Sequence, residues 1–121
     1  MINQQVIKFA ADTSNYGNKK ISNYIGTCKN KICGDKITVE LEIKEKKIKN
    51  MTYETESCVF CQASASLISK IIKNQNINKI SLFQVKTHRN KNFKELLKTK
   101  ERISCVMLPF EALKKAIRSS K

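Results

Sequence analysis

Ile37-Thr38-Val39-Glu40-Leu41-Glu42-Ile43, followed by Ile48-Lys49-Asn50-Met51-Thr52-Tyr53-Glu54-Thr55, is the stretch that decides the fold of this chain. In the first run apolar residues alternate strictly with polar ones, the period of a strand with one buried face. In the second, Met51, Tyr53 and Thr55 share a face, and the charged residues 44 to 47 supply a turn between the two runs. Together they predict a β-hairpin. Burial fixes its register: the apolar faces coincide only if Leu41 lies opposite Met51, Val39 opposite Tyr53 and Ile37 opposite Thr55, because a one-residue slip turns one face to water. Extended outward, this register sets Gly34 opposite Cys58. Cys33 and Cys58 then meet at the open end of the hairpin, with Asp35 on the same face as Cys33 because side chains two apart in a strand point the same way.

Beyond Cys58 the apolar period lengthens. Phe60, Ala63, Ser64, Leu67, Ile68, Ile71 and Ile72 predict a helix over residues 59–73, ended by Asn74-Gln75-Asn76. Cys58 therefore sits at a helix N-terminus, where unpaired backbone amides and the helix dipole attract negative charge. Upstream, Ile2, Val6, Ile7 and Ala10 predict a short amphipathic helix over 2–11, followed by a loop over 12–20 and a first strand over 21–27. Downstream, 77–86 and 91–100 read as short helices around Thr87-His88-Arg89-Asn90. A final helix is expected over 107–119, which puts Pro109 in its first turn and Cys105 just before it. The sum is an α+β fold: a small antiparallel sheet of about three strands packed against several helices, one domain over residues 1–121.

Composition narrows the function. A chain of 121 residues with 40% hydrophobic content can bury a core without a covalent staple. Five cysteines is an odd number, and the N-terminal residues 1–8 lack the apolar run of a secretory signal, so the expected compartment is the reducing cytoplasm. No stretch is apolar over the length that spans a bilayer, so no membrane partner is expected. The net charge of +14 comes from lysines spread through every segment, with only three arginines. Nucleic-acid binders more often gather arginine and aromatics on one face, so nucleic acid is not the expected partner. A basic nucleic-acid-binding module with a structural zinc is the alternative from another class. The lysine excess fits either compositional bias or a docking surface for an acidic partner.

Cys33, Asp35, Cys58 and Cys105 form a four-ligand set: soft thiolates for zinc or iron, and a harder, more exchangeable carboxylate suited to a site that must release what it binds. The opposing reading is that these are buried core cysteines. Cys61 extends Cys58 into Cys-Val-Phe-Cys, which also matches a thioredoxin-like redox signature, but that chemistry needs a proline facing the pair and the one proline is Pro109. An auxiliary thiol near the metal is the preferred reading of Cys61. Cys28 reads as an ordinary strand cysteine, His88 lacks ligand partners in its polar link, and Ser64 and Ser66 read as small packing residues with no accompanying base.

The residues around these cysteines resemble the U-type iron-sulfur cluster assembly scaffolds, the family of IscU, SufU and the N-terminal domain of NifU. The resemblance rests on Ile32-Cys33-Gly34-Asp35-Lys36-Ile37-Thr38-Val39, on Cys58 followed by Gln62-Ala63-Ser64-Ala65-Ser66, and on Cys105 followed by Leu108-Pro109-Phe110-Glu111-Ala112-Leu113. It implies that Cys33, Asp35, Cys58 and Cys105 hold zinc or a transient [2Fe-2S] cluster. It further implies that Cys105 or Cys58 accepts persulfide sulfur from a cysteine desulfurase, and that apo iron-sulfur proteins receive the product. The α+β fold of the family matches the element order read above. Departures from the IscU pattern are Ser104, where those members carry a histidine before the last cysteine, and the missing Leu-Pro-Pro-Val-Lys chaperone motif. Arg102, three residues before Cys105, resembles the SufU branch, whose insertion between the last two cysteines is absent. The expected function is a cluster assembly scaffold rather than an enzyme; the alternative within the family is a zinc-dependent sulfurtransferase.

Overall fold

A computed structural model describes residues 4–19, 22, 24–30, 34–79 and 91–119. Helix α1 (Gln4–Ala11) leads to strands β1 (Tyr24–Lys29), β2 (Lys36–Lys44) and β3 (Lys47–Glu56), then to helices α2 (Val59–Ile71), α3 (Lys91–Leu97) and α4 (Ile103–Arg118). The strands form one antiparallel sheet in the order β1-β2-β3. The expected register holds: Leu41 pairs with Met51, Val39 with Tyr53 and Ile37 with Thr55. The hairpin closes through Glu45 and Lys46, both at positive φ (54° and 64°), the left-handed pair that matches the twist of the flanking strands. Near this turn the register shifts between Glu42 and Ile43, leaving Lys49 as an extra residue in β3.

One face of the sheet builds the core. Ile37, Val39, Leu41, Met51 and Tyr53 are buried with Phe60, Leu67 and Ile68 of α2, Phe93 and Leu96 of α3, and Phe110 and Leu113 of α4. Each such side chain contributes on the order of 2 kcal/mol by leaving water. Gly26 decides how close α4 comes. A Cβ there would lie less than 3.0 Å from the Ala112 carbonyl oxygen, the Ala116 nitrogen and the Lys115 carbonyl carbon. The helix backbone thus rests directly on β1, the role a glycine inside a strand often marks.

The opposite face is crossed by the segment after α1. Tyr53 exchanges backbone bonds with Asn15 and Gly17. Asn18 then donates to the Thr38 carbonyl and accepts from Thr52. Glu54 accepts the amide of Asn18, and the buried Glu40 takes the amides of Lys19 and Ser22 on its two oxygens. A stretch expected only to be a loop is a strap held by two carboxylates that satisfy its backbone donors.

Three expectations are corrected. The last helix begins at Ile103, so Pro109 lies in its interior and Cys105 in its first turn; packing of Val106, Leu108 and Phe110 into the core outweighs the proline penalty of about 3 kcal/mol. The first strand covers Tyr24–Lys29, later than read, because Gly26 and Cys28 pair with Val39 and Ile37. Of the helix expected over 77–86, the described part is a 3-10 turn, Ile77–Lys79; residues 80–90, with His88, lie outside the described residues.

Candidate metal centre

Asp35, Cys58 and Cys105 come from three elements and converge. One carboxylate oxygen and the two sulfurs all lie within 4.8 Å of one another. Thiolate bonds of about 2.3 Å around a tetrahedral ion require sulfurs roughly 4 Å apart, so only a small closure separates this group from a first coordination shell. Cys33 lies outside the described residues.

Each member is placed by local structure. Gly34 has φ +77°, a conformation L side chains rarely adopt, and open space where a Cβ would stand; the backbone angle, not crowding, calls for glycine. Asp35 follows it, and its carbonyl accepts the amide of Asn30 at 2.7 Å, extending the β1-β2 ladder by one pair. Cys58 is the N-cap of α2 in extended conformation (φ −72°, ψ 168°), as its expected position requires. Cys105 is buried in the first turn of α4. The Ser64 hydroxyl in α2 donates to the Val106 carbonyl in α4, so a residue read as small packing also bonds the two cysteine-bearing helices together.

Asp35 is the electrostatic centre of the group. It is 6% exposed. Oδ1 accepts the Cys58 amide at 3.3 Å, while Oδ2 is buried with no hydrogen-bond partner among the described residues. A buried carboxylate oxygen left unsatisfied is unfavourable by about 1–3 kcal/mol unless a cation or proton meets it. The soft sulfurs beside it select a thiophilic cation. Half-buried Cys58 leaves the group reachable from outside.

Cys61 does not join them. It is fully buried, and burial pushes its thiol up to about 12 against the opposing hydrogen bonds of Ser57 and Thr55. A thiol so held is protonated near pH 7, and Cys61 stands beside Asp35 and Cys58 without entering the group they form with Cys105. Cys28 stands in β1 opposite Ile37, the strand cysteine expected. Sequence reasoning missed Asn30, three residues before Cys33: its backbone bonds Gly34 and Asp35, and its side chain donates to Ser104 at 3.1 Å. A polar residue at a strand end beside the motif was the available signal.

The NifU-like N terminal domain family matches residues 1–121, and the chain belongs to that family. A relative named iron-sulfur cluster assembly scaffold protein IscU, from Thermotoga maritima, is 28% identical, covering 98% of this chain and 93% of that protein. A protein of the same description from Archaeoglobus fulgidus is 25% identical over 97% of this chain and 74% of its own length. The fold is that of the N-terminal part of a nitrogen-fixing NifU-like protein from Brucella abortus, with TM-score 0.83, 20% identity, and coverage of 97% of this chain and 92% of that one. It is shared by an iron-sulfur cluster assembly scaffold protein for the SUF system from Fervidobacterium islandicum, with TM-score 0.79, 19% identity, and 96% of each chain covered. Among the described residues no helix is long and apolar enough to cross a membrane.

Proposed function

We propose that this chain is an iron-sulfur cluster assembly scaffold. Iron and sulfur are its cargo, held by Cys33, Asp35, Cys58 and Cys105 and passed to apo iron-sulfur proteins. The observation that carries the reading is the buried Oδ2 of Asp35, with no hydrogen-bond partner among the described residues, beside two cysteine sulfurs. Sulfur arrives from a cysteine desulfurase as persulfide, with Cys58 or Cys105 as acceptor, in a reducing cytoplasm that keeps the thiols free. Asp35 binds a soft centre less firmly than a thiolate does, so it supplies the exchangeable position through which cargo leaves.

The test compares wild type with Asp35→Ala after anaerobic reconstitution. The variant loses one hydrogen bond to the Cys58 amide, worth about 1 kcal/mol, and also loses an unsatisfied buried oxygen, an effect of opposite sign and comparable size. Its cargo-free melting temperature should therefore stay close to wild type, while the cluster lives longer and transfers to an apo-ferredoxin more slowly. A variant that drops its metal and melts early, with no gain in cluster lifetime, counts against the scaffold and for a structural zinc site. Zinc without acid-labile sulfide in protein purified without air, together with persulfide uptake, would favour the sulfurtransferase.

A further inference from the structure

Asn30 is bonded to both halves of the candidate centre without belonging to it. Its amide donates to the Asp35 carbonyl at 2.7 Å, and its carbonyl accepts the Gly34 amide at 2.8 Å. Its side-chain Nδ2 crosses to α4 and donates to Ser104 Oγ at 3.1 Å. Ser104 is the neighbour of Cys105. One residue thus bonds Asp35 directly through its backbone and the turn bearing Cys105 through its side chain. The residue is buried while Ser104 is exposed. A buried amide placed across two ligand-bearing elements does more than satisfy a strand end, because the ladder bond to Asp35 needs only its backbone.

We propose that Asn30 is a positioning residue for the metal centre, setting through its bond to Ser104 how far the end of β2 that carries Asp35 stands from the helix turn that carries Cys105. This rests on the metal-binding reading of the site. Outer-shell groups that orient metal ligands typically change affinity 10–100-fold when removed, because the ligands must then be ordered by the metal itself. Neither residue is one of the candidate ligands, so both can be altered with all of those ligands intact.

The experiment is anaerobic titration of the whole chain with Co(II), read by affinity in competition with a chelator and by the thiolate-to-cobalt charge-transfer band. Wild type, Asn30→Ala, Ser104→Ala and the double variant are compared, each with a melting curve. The expected result is a loss of affinity of about 10-fold or more in each single variant, with an altered band, in protein still folded at the assay temperature. The double variant should be no worse than the singles, since all three remove the same bond. A residue with only a structural role would lower the melting temperature and leave affinity and band unchanged. Folded single variants that bind within about twofold of wild type with an unchanged band would overturn the proposal, as would additive losses. Should Asn30→Ala fail to fold, Ser104→Ala, which removes one exposed hydroxyl, decides alone. Wild type that binds Co(II) with no thiolate band would overturn the metal-binding reading itself, a result distinct from variants that match a thiolate-binding wild type.

Discussion

Gly26→Ala tests the closest joint in the molecule. The added methyl would meet the Ala112 carbonyl oxygen and the Ala116 nitrogen, and would stand 2.9 Å from the Lys115 carbonyl carbon, where ordinary contact begins at 3.4 Å. All three are backbone atoms, so no side chain can swing aside. Helix α4 must retreat by about 1 Å to bring the two nearest atoms to ordinary contact, loosening its packing on β1 and β2. Overpacking of a well-filled contact typically destabilises by about 1–3 kcal/mol, and a rigid backbone neighbour places this case at the upper end, about 3 kcal/mol. With an unfolding entropy of about 0.25 kcal/mol/K for a chain of this size, the melting temperature should fall by about 12 °C. Because α4 also carries Cys105, Co(II) affinity should fall with it. Thermal unfolding followed by circular dichroism gives the first number and chelator competition the second. A melting temperature within about 3 °C of wild type would refute the close approach of helix and strand.

Other expectations are narrower. Cys61→Ala should lower stability by about 1 kcal/mol through a small cavity and leave Co(II) uptake unchanged, and in native wild type at pH 8 Cys61 should resist alkylation while Cys58 reacts; a loss of metal binding would restore Cys61 to the site. Replacing Glu45-Lys46 by Asn-Gly, residues suited to two positive φ angles, should raise stability by about 1 kcal/mol, seen as an upward shift of about 4 °C in melting; no gain would mean the turn is unstrained. The hydrogen bond from Lys70, then those from Ser14, hold the Asp12 carboxyl well below the usual carboxylate range. Because that folded value lies under the ordinary 3.8, the stabilisation is fully present above 3.8 and disappears as pH falls through the folded value. The melting gap between wild type and Asp12→Asn should be constant down to about pH 5 and close in stronger acid; a gap that widens in acid would contradict the ion pair.

The parts of this fold that were legible are those governed by local periodicity. Alternation in β2 and β3 leaves one register that hides both apolar faces; it sets Cys33 and Cys58 together at the open end of the hairpin with Asp35 on the face of Cys33, and of these the described residues Asp35 and Cys58 are neighbours. The start of α4 was not legible, because Pro109 is an ordinary marker of a first turn and nothing in Ile103-Ser104-Cys105 announces a cap. Helix entry there is fixed by Val106 and Phe110 entering the core, a tertiary demand that overrides the local signal. The strap was unreadable for a related reason: Glu40 meets Lys19 across 21 residues and Glu54 meets Asn18 across 36, and no local pattern distinguishes a carboxylate that caps a distant backbone from one that faces water. Asn30 escaped notice because its bond to Ser104 spans 74 residues. Proximity of Asp35 to Cys58 could be read because they share a hairpin end; for Cys105 no local register set a neighbour, and its place in the ligand set rested on thiolate chemistry, its position at a helix start and the family resemblance.

The bond from the Cys58 amide to Oδ1 of Asp35 gives the site its own reporter. A hydrogen bond deshields the donated proton, so the backbone resonance of this one residue should report whether Oδ1 is engaged by the amide in the cargo-free protein. When the carboxylate turns toward a cation, that hydrogen bond weakens and the resonance moves upfield, with no label attached to the site and no colour required of the ion. Loading, release and handover can then be followed on a single peak in a nitrogen-proton spectrum, with diamagnetic zinc as readily as with a coloured metal.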